Sequence, residues 1–237
     1  MIDQNRSVVD LSHVVSPGFP GHPSSVAARV AASKDFASGV CFSQRWDMDE
    51  HWGTHLDAPA HFAPGERTVD DIPAADLVLP AAVLDIRDRA ARSPDAVVGV
   101  ADVRAWERRN GPLPAAVLAL TGRSELIGDR RAYLGLDAHD QPHWPAFAPE
   151  VAEFLVAERP QVGAIGIDTP SLDTPAGERD GCPVHRIWLH GRRYGLEHLT
   201  NLAALPDAGA TIVVGVPRFQ GGSGGPARVL GLRPART

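Results

Sequence analysis

Lysine is almost missing from this chain of 237 residues: Lys34 stands alone, and every other strong cation is arginine. Coding composition explains that bias as readily as function does, so it excludes nothing. Cysteine is scarce in a more informative way. Cys41 and Cys182 are too few for a disulfide framework, and free, mostly buried thiols are expected. No run approaches the roughly 18 apolar residues that a membrane-crossing helix needs. The opening stretch, Met1 to His13, lacks the apolar core behind a basic region that marks a secretory leader. A basic surplus is missing too: the formal charge is −6 and the pI near 5.9, which argues against a nucleic-acid partner. The expectation is a soluble cytoplasmic protein with neither membrane nor nucleic-acid partners.

What is present fits a globular chain. Hydrophobic residues make up 43% of the sequence and charged residues 22%, enough for a large core and ordinary for a soluble surface. There is no internal repeat and no separating linker, so 1–237 is expected to form one domain. The tract Gln220 to Pro226 is rich in glycine, but only a strand's length of chain follows it. It reads as a long flexible loop before a last strand, 228–232.

Short apolar runs at 80–86, 115–120, 162–167 and 211–216 are bounded by glycine, proline or charge and predict buried strands. Between them lie helical patterns. Asp102 is placed to cap a helix over 103–109 that Gly111 and Pro112 end, and Pro149 and Glu150 open another that stops before Pro160. Alternating strand and helix, with more strand near both ends, predicts a mixed α/β fold.

The most informative segment runs from Glu50 to Phe62. It holds His51, His55, Asp57 and His61, three of the ten histidines and an aspartate within eleven residues. Two histidines four apart suit a metalloprotease helix, but Gly53, Thr54 and Pro59 break a helix, and no Glu follows His51. An extended segment serves better, because His55 and Asp57, two apart, then share a side. His51, His55 and Asp57 can converge as two imidazoles and a carboxylate, a set suited to zinc or manganese. A solvated, hydrogen-bonded loop is the competing reading. No Gly-x-Ser-x-Gly elbow is present, so nothing indicates a serine nucleophile.

The run His-Trp-Gly-Thr-His-Leu-Asp-Ala-Pro-Ala-His-Phe closely resembles the HxGTHxDxPxHF signature of the cyclase family of metal-dependent hydrolases, which includes bacterial kynurenine formamidases and isatin hydrolase. The resemblance extends over most of the chain. Residues 10–13 and 17–23 match the family's opening segment, 119–122 its RTGW strand end, and 166–173 its GIDTPSxD stretch. The family implies a swivelling β/β/α domain with a mixed sheet core and flanking helices, assembled as a homodimer or homotetramer. It implies that His51, His55 and Asp57 bind one divalent metal, with zinc preferred and manganese the second candidate. In dinuclear members Asp57 would bridge to a second ion held by His185 and Glu197. His61 would act as general acid/base. On their own, His185 and Glu197 read as a helix histidine and a strand-end carboxylate.

Three departures from the family pattern stand out. His22 replaces an acid, Arg123 stands where Trp is usual, and Gly225-Pro226 replaces Ser-Pro. All three are placed to border the substrate. Trp46, Trp52 and Phe62 read as an apolar wall for an aromatic substrate or, as aromatics beside a motif more often do, as core. The loop 168–173 reads equally as a capped turn or as part of the site's rim. His139 and His143 read as loop residues.

The activity implied is hydrolysis of the C–N bond of an aryl formamide, lactam or related amide through a metal-activated water, on a small, aromatic substrate. A ligand set without cysteine suits an open catalytic site rather than a closed structural one. Two alternatives use the same residues: a biosynthetic cyclase or dehydratase acting on a polyketide-like or aromatic intermediate, and a metal-binding protein without catalysis.

Overall fold

A computed structural model describes residues 7–234. The first six residues, part of the stretch read for a leader, and the last three lie outside the described residues. The N-terminal region supplies β1 (Val8–Asp10), β2 (Arg29–Lys34), β3 (Ser43–Asp47) and β4 (His55–Asp57). The middle alternates as expected: β5 (Val78–Asp85), α1 (Arg87–Ala90), β6 (Val97–Val98), α2 (Val100–Asn110), β7 (Ala116–Leu120), α3 (Arg130–Leu134), β8 (Ala146–Phe147), α4 (Pro149–Glu158) and β9 (Ala164–Ile167). The chain then runs through α5 (Pro175–Arg179), α6 (Pro183–Trp188), β10 (Tyr194–Glu197), β11 (Ala210–Gly215), β12 (Gly224–Pro226) and β13 (Arg228–Leu232).

Nine of these strands form one mixed sheet in the order β1-β13-β11-β5-β7-β9-β10-β4-β12. The neighbours β5, β7, β9 and β10 are parallel; the pairs on either flank are antiparallel. Parallel strands need cover on both faces, and their sequences read as unbroken apolar runs for that reason. Alternate residues serve opposite faces. Ala82, Leu84, Val117, Ala119, Ile165 and Ile167 pack under Val103 and Trp106 of α2, Val151 and Leu155 of α4 and Trp188 of α6. Ala81, Val83, Ala116 and Leu118 meet Leu11, Leu202 and Leu205, together with the curled flank carrying Ile212 and Val229.

The expected helix at 149–158 forms with those bounds. The helix expected from Asp102 begins earlier, at Val100. Asp102 caps it from within the first turn, its Oδ2 accepting the Gly99 N–H at 2.8 Å. The β2–β3 hairpin has no apolar run and was not expected; it forms its own two-stranded sheet through backbone pairing. The tract at 220–226 is also not simply a flexible loop, since β12 pairs with β4 at the sheet edge. Cys41 is exposed and Cys182 half-buried, and both are free, so burial was overestimated for both. No helix among the described residues is long and apolar enough to cross a membrane.

Helix α4 holds the helical layer to the sheet, and Leu155 is fully buried at its centre. Leu155→Ala is expected to cost about 2–5 kcal/mol of unfolding free energy, because a packed core cannot close over the lost methyls. Val156→Ala, beside it but only partly buried, is expected to cost less. Urea denaturation of both variants measures the difference.

Candidate metal centre

The site is built on β4, one strand in from the sheet edge. Gly53, at φ 76°, turns the chain after His51. The next residues are extended, so His55 and Asp57 share one face of β4 while Leu56 enters the core on the other. Cross-strand register brings in the next group. Glu197 of β10 lies directly opposite His55, on the same face. Asp57 lies opposite Gly195 on one side and Gly224 on the other. A Cβ at Gly195 would sit 3.1 Å from Asp57 Oδ2, and one at Gly224 would meet Leu56 O and lie 2.6 Å from His51 Cε1. A side chain at Gly195 would crowd that carboxylate, and one at Gly224 would collide with the backbone of β4 and the His51 ring.

His185 arrives from α6. Asp173 fixes it twice over, accepting the His185 backbone N–H at 3.1 Å and pairing with its Nδ1 at 2.6 Å. Its Nε2 then points inward, 3.0 Å from Glu197 Oε1 and 3.8 Å from Asp57 Oδ2. His55 donates from Nδ1 to Gly53 O at 2.8 Å, leaving Nε2 at 3.3 Å from Asp57 and 3.4 Å from Glu197. His51 Nδ1 lies 2.7 Å from Asp57 Oδ1, and its Nε2 meets Ser223 Oγ at 2.9 Å. His61 stacks on His51, ring centroids 3.9 Å apart.

All six residues singled out in the sequence therefore meet in one place. His51, Asp57 and His61 offer one set of mutually close donor atoms, and His55, Asp57 and Glu197 another, with Asp57 common to both. The donor chemistry fits a divalent cation: imidazole nitrogens turned inward by partners behind them, and carboxylates from two strands. Asp57 Oδ2 adds a specific sign, because it is buried and has no hydrogen-bond partner. Such an atom is costly unless something positive approaches it.

Protons and charges are tightly interlocked here. Burial alone would depress His55, but Asp57 and Glu197 override it and raise the imidazole to about 10. Burial likewise opposes His185, yet Asp173 and Glu197 hold it well above its ordinary value. Burial would raise Asp57; His55 and His51 hold it well below the usual carboxylate range. Burial and Asp57 would raise Glu197, but hydrogen bonds from His185 and His55 take it down to about 2. His61 differs. The protein packed around it lowers it to about 4, although one edge faces solvent, so it is neutral at physiological pH.

A cavity of about 580 Å³ opens above these residues, with Phe62 on its wall. Of the residues expected to border it, His22 does so. Trp52 packs instead against Phe19 beneath the opening segment, and Trp46 belongs to the same satellite cluster. Arg123 turns away to donate to Ala132 O, and Gly225-Pro226 forms edge strand. His139 and His143 stay outside it; His143 pairs with Asp95. The loop 168–173 contributes Ser171 to the wall and Asp173 behind His185. Its Asp168, raised to about 6 by burial, accepts hydrogen bonds from Thr121 and Gly122. Sequence reading missed Ser223, whose backbone N–H and hydroxyl both donate to Glu50. It also missed Glu178. Neither sits in a pattern with a chemical signature of its own.

A fold with this strand order and a His/Asp/Glu cluster on an inner strand defines a class. The family profile described as "Putative cyclase" matches residues 9–174, and the chain belongs to the cyclase family. It is 30% identical over 209 residues to isatin hydrolase from Roseibium aggregatum, covering 84% of this chain and 78% of that one. It is 30% identical over 187 residues to kynurenine formamidase from Paracidovorax citrulli, covering 73% and 77%. The solved structure of isatin hydrolase A from Ralstonia solanacearum superposes with a TM-score of 0.89 at 34% identity, covering 97% of this chain and 93% of that one.

Imidazoles that hold protons so firmly must release them to a cation. Zinc or manganese affinity is therefore expected to rise steeply between pH 6 and 8, with at least one proton released per ion bound. Calorimetry in two buffers of different ionisation enthalpy measures both quantities. An affinity flat across that range, with no proton release, would show that His55 and His185 are not ligands.

Proposed function

We propose that this protein is a metal-dependent hydrolase that cleaves the C–N bond of an aryl formamide, lactam or related amide. One observation carries the assignment of the site: Asp57, buried and with an unpartnered oxygen, sits among His51, His55, His185 and Glu197. Those five residues would hold the metal, as one ion or as two sharing Asp57. A divalent cation there, zinc or else manganese, would polarise a carbonyl and lower the pKa of water from about 15.7 toward 7.

The chain's own groups account for the rest. Asp173 locks the His185 ring, and Gly53 O locks His55, so the inner donors need no reorganisation when substrate arrives. Phe62 adds apolar surface to the wall, which suits an aromatic substrate, and the cavity has the size of a small-molecule site. His61, neutral at physiological pH, can take a proton from the attacking water and return it to the leaving nitrogen. Both named relatives are hydrolases by name, which favours hydrolysis over ring closure or dehydration. The exposed Val26, Phe36, Val40 and Phe42 on and beside the β2–β3 hairpin support assembly as a homodimer or homotetramer.

A second role for His61, as a metal ligand, draws support from its place with His51 and Asp57 in one set of close donors. One variant separates the two roles. His61→Gln is expected to keep the wild-type metal content while kcat on a formanilide falls by about 10²–10⁴-fold. Loss of metal from it would make His61 a ligand instead. His51→Ala and His55→Ala are expected to lose metal, and retention in both would sink the site. Metal-loaded protein is expected to turn over at least one of N-formylkynurenine, isatin and simple formanilides, and to stop on chelation. No turnover of any of them with metal bound would favour the cyclase or dehydratase alternative.

A further inference from the structure

The cavity above the metal centre has a charge pattern that its chemistry does not require. Beyond the candidate ligands it is lined by Asp49, Glu50 and Glu178, and among the described residues no arginine or lysine lines it. A divalent cation would balance Asp57 and Glu197, leaving those three carboxylates. Two of them are occupied by the backbone and a hydroxyl: Asp49 accepts the Val26 N–H, and Glu50 accepts from Ser223. Glu178 is held differently. Both its oxygens lie 3.0 Å from His22 Nε2, across 156 residues of sequence. The His22 ring is itself fixed, with Nδ1 2.7 Å from Ser24 Oγ and its edge against Trp144 at 5.6 Å. His22 therefore ties the opening segment to α5. It approaches Glu178 from one side, and the remaining lone pairs of that carboxylate are free for another donor. The family's acid at position 22 could not make this pair; two carboxylates would repel.

We propose that Glu178, braced by His22, is a specificity-determining residue that favours aryl amides whose side chain ends in a protonated amine over those whose side chain ends in a carboxylate. The proposal rests on the hydrolase reading above for the scissile group, but concerns the far end of the substrate. An ammonium held at the Glu178 end of the cavity, away from the metal, meets carboxylate acceptors and, among the described residues, no arginine or lysine. A carboxylate held at that end meets Glu178 with Asp49 and Glu50 on the same wall, and such like-charge juxtaposition is disfavoured away from bulk water.

The test uses metal-loaded protein and three ortho-substituted formanilides of matched length, ending in an ammonium, a hydroxyl or a carboxylate. Calorimetric Kd and kcat/KM are both measured, so that binding is read whether or not the amide is cleaved. The expected order is ammonium, then hydroxyl, then carboxylate, with about tenfold or more between first and last in Kd and the gap narrowing as salt rises. Glu178→Gln is expected to cut that ratio severalfold, acting through KM, with Asp49 and Glu50 sustaining the remainder. His22→Gln keeps the carboxylate but loosens it, and is expected to reduce the ratio less. Equal binding of the three by the wild type, a preference for the carboxylate, or an unchanged ratio in Glu178→Gln would overturn the proposal. Ordered binding without any turnover would support it while removing the hydrolase reading.

Discussion

The carboxylate of Asp57 is the constraint around which the rest is arranged. It sits on a three-residue strand, removed from water, with glycines facing it on both flanking strands. A buried charge of this kind must be met by positive charge. The sequence supplies that from three directions: His51 across a turn, His55 along the strand and His185 from a helix. Each imidazole is turned by a partner behind it, whether Ser223, Gly53 O or Asp173. The site is consequently rigid where it binds and open where His61 faces the cavity, as hydrolysis requires of it.

Much of this was legible in the sequence because it is local. The strands β5, β7, β9 and β11 are buried on both faces or nearly so, and their apolar runs could hardly be read otherwise. Helix α4 announces itself through Pro149 and Glu150, and the pairing of His55 with Asp57 follows from the two-residue repeat of extended chain. The convergence of three histidines and an aspartate was also a local fact.

What the sequence withheld is long-range or carried by backbone. Glu197 reaches the site through strand register, which no residue in β10 advertises, and His185 through a helix packed on α4; resemblance alone brought them in. The β2–β3 hairpin has no apolar pattern because most of its residues are exposed, with only Val30 and Trp46 of its apolar side chains turned partly inward. The glycines at 220–225 suggested freedom, whereas one of them is there because a side chain would collide with His51. Trp52 and Trp46 lie near the ligands in sequence but pack in the Phe19 cluster, because one sits in the turn before β4 and the other on β3 of the separate two-stranded sheet.

The position of β12 has a further consequence. It is short, lies at the extreme edge of the sheet and contributes little to the central core, yet it covers the strand of His55 and Asp57 and directly follows Ser223. Local opening of that edge would uncover His51 while the parallel strands stayed folded. Such an opening would give an ion a route in or out that does not require the central strands to unfold.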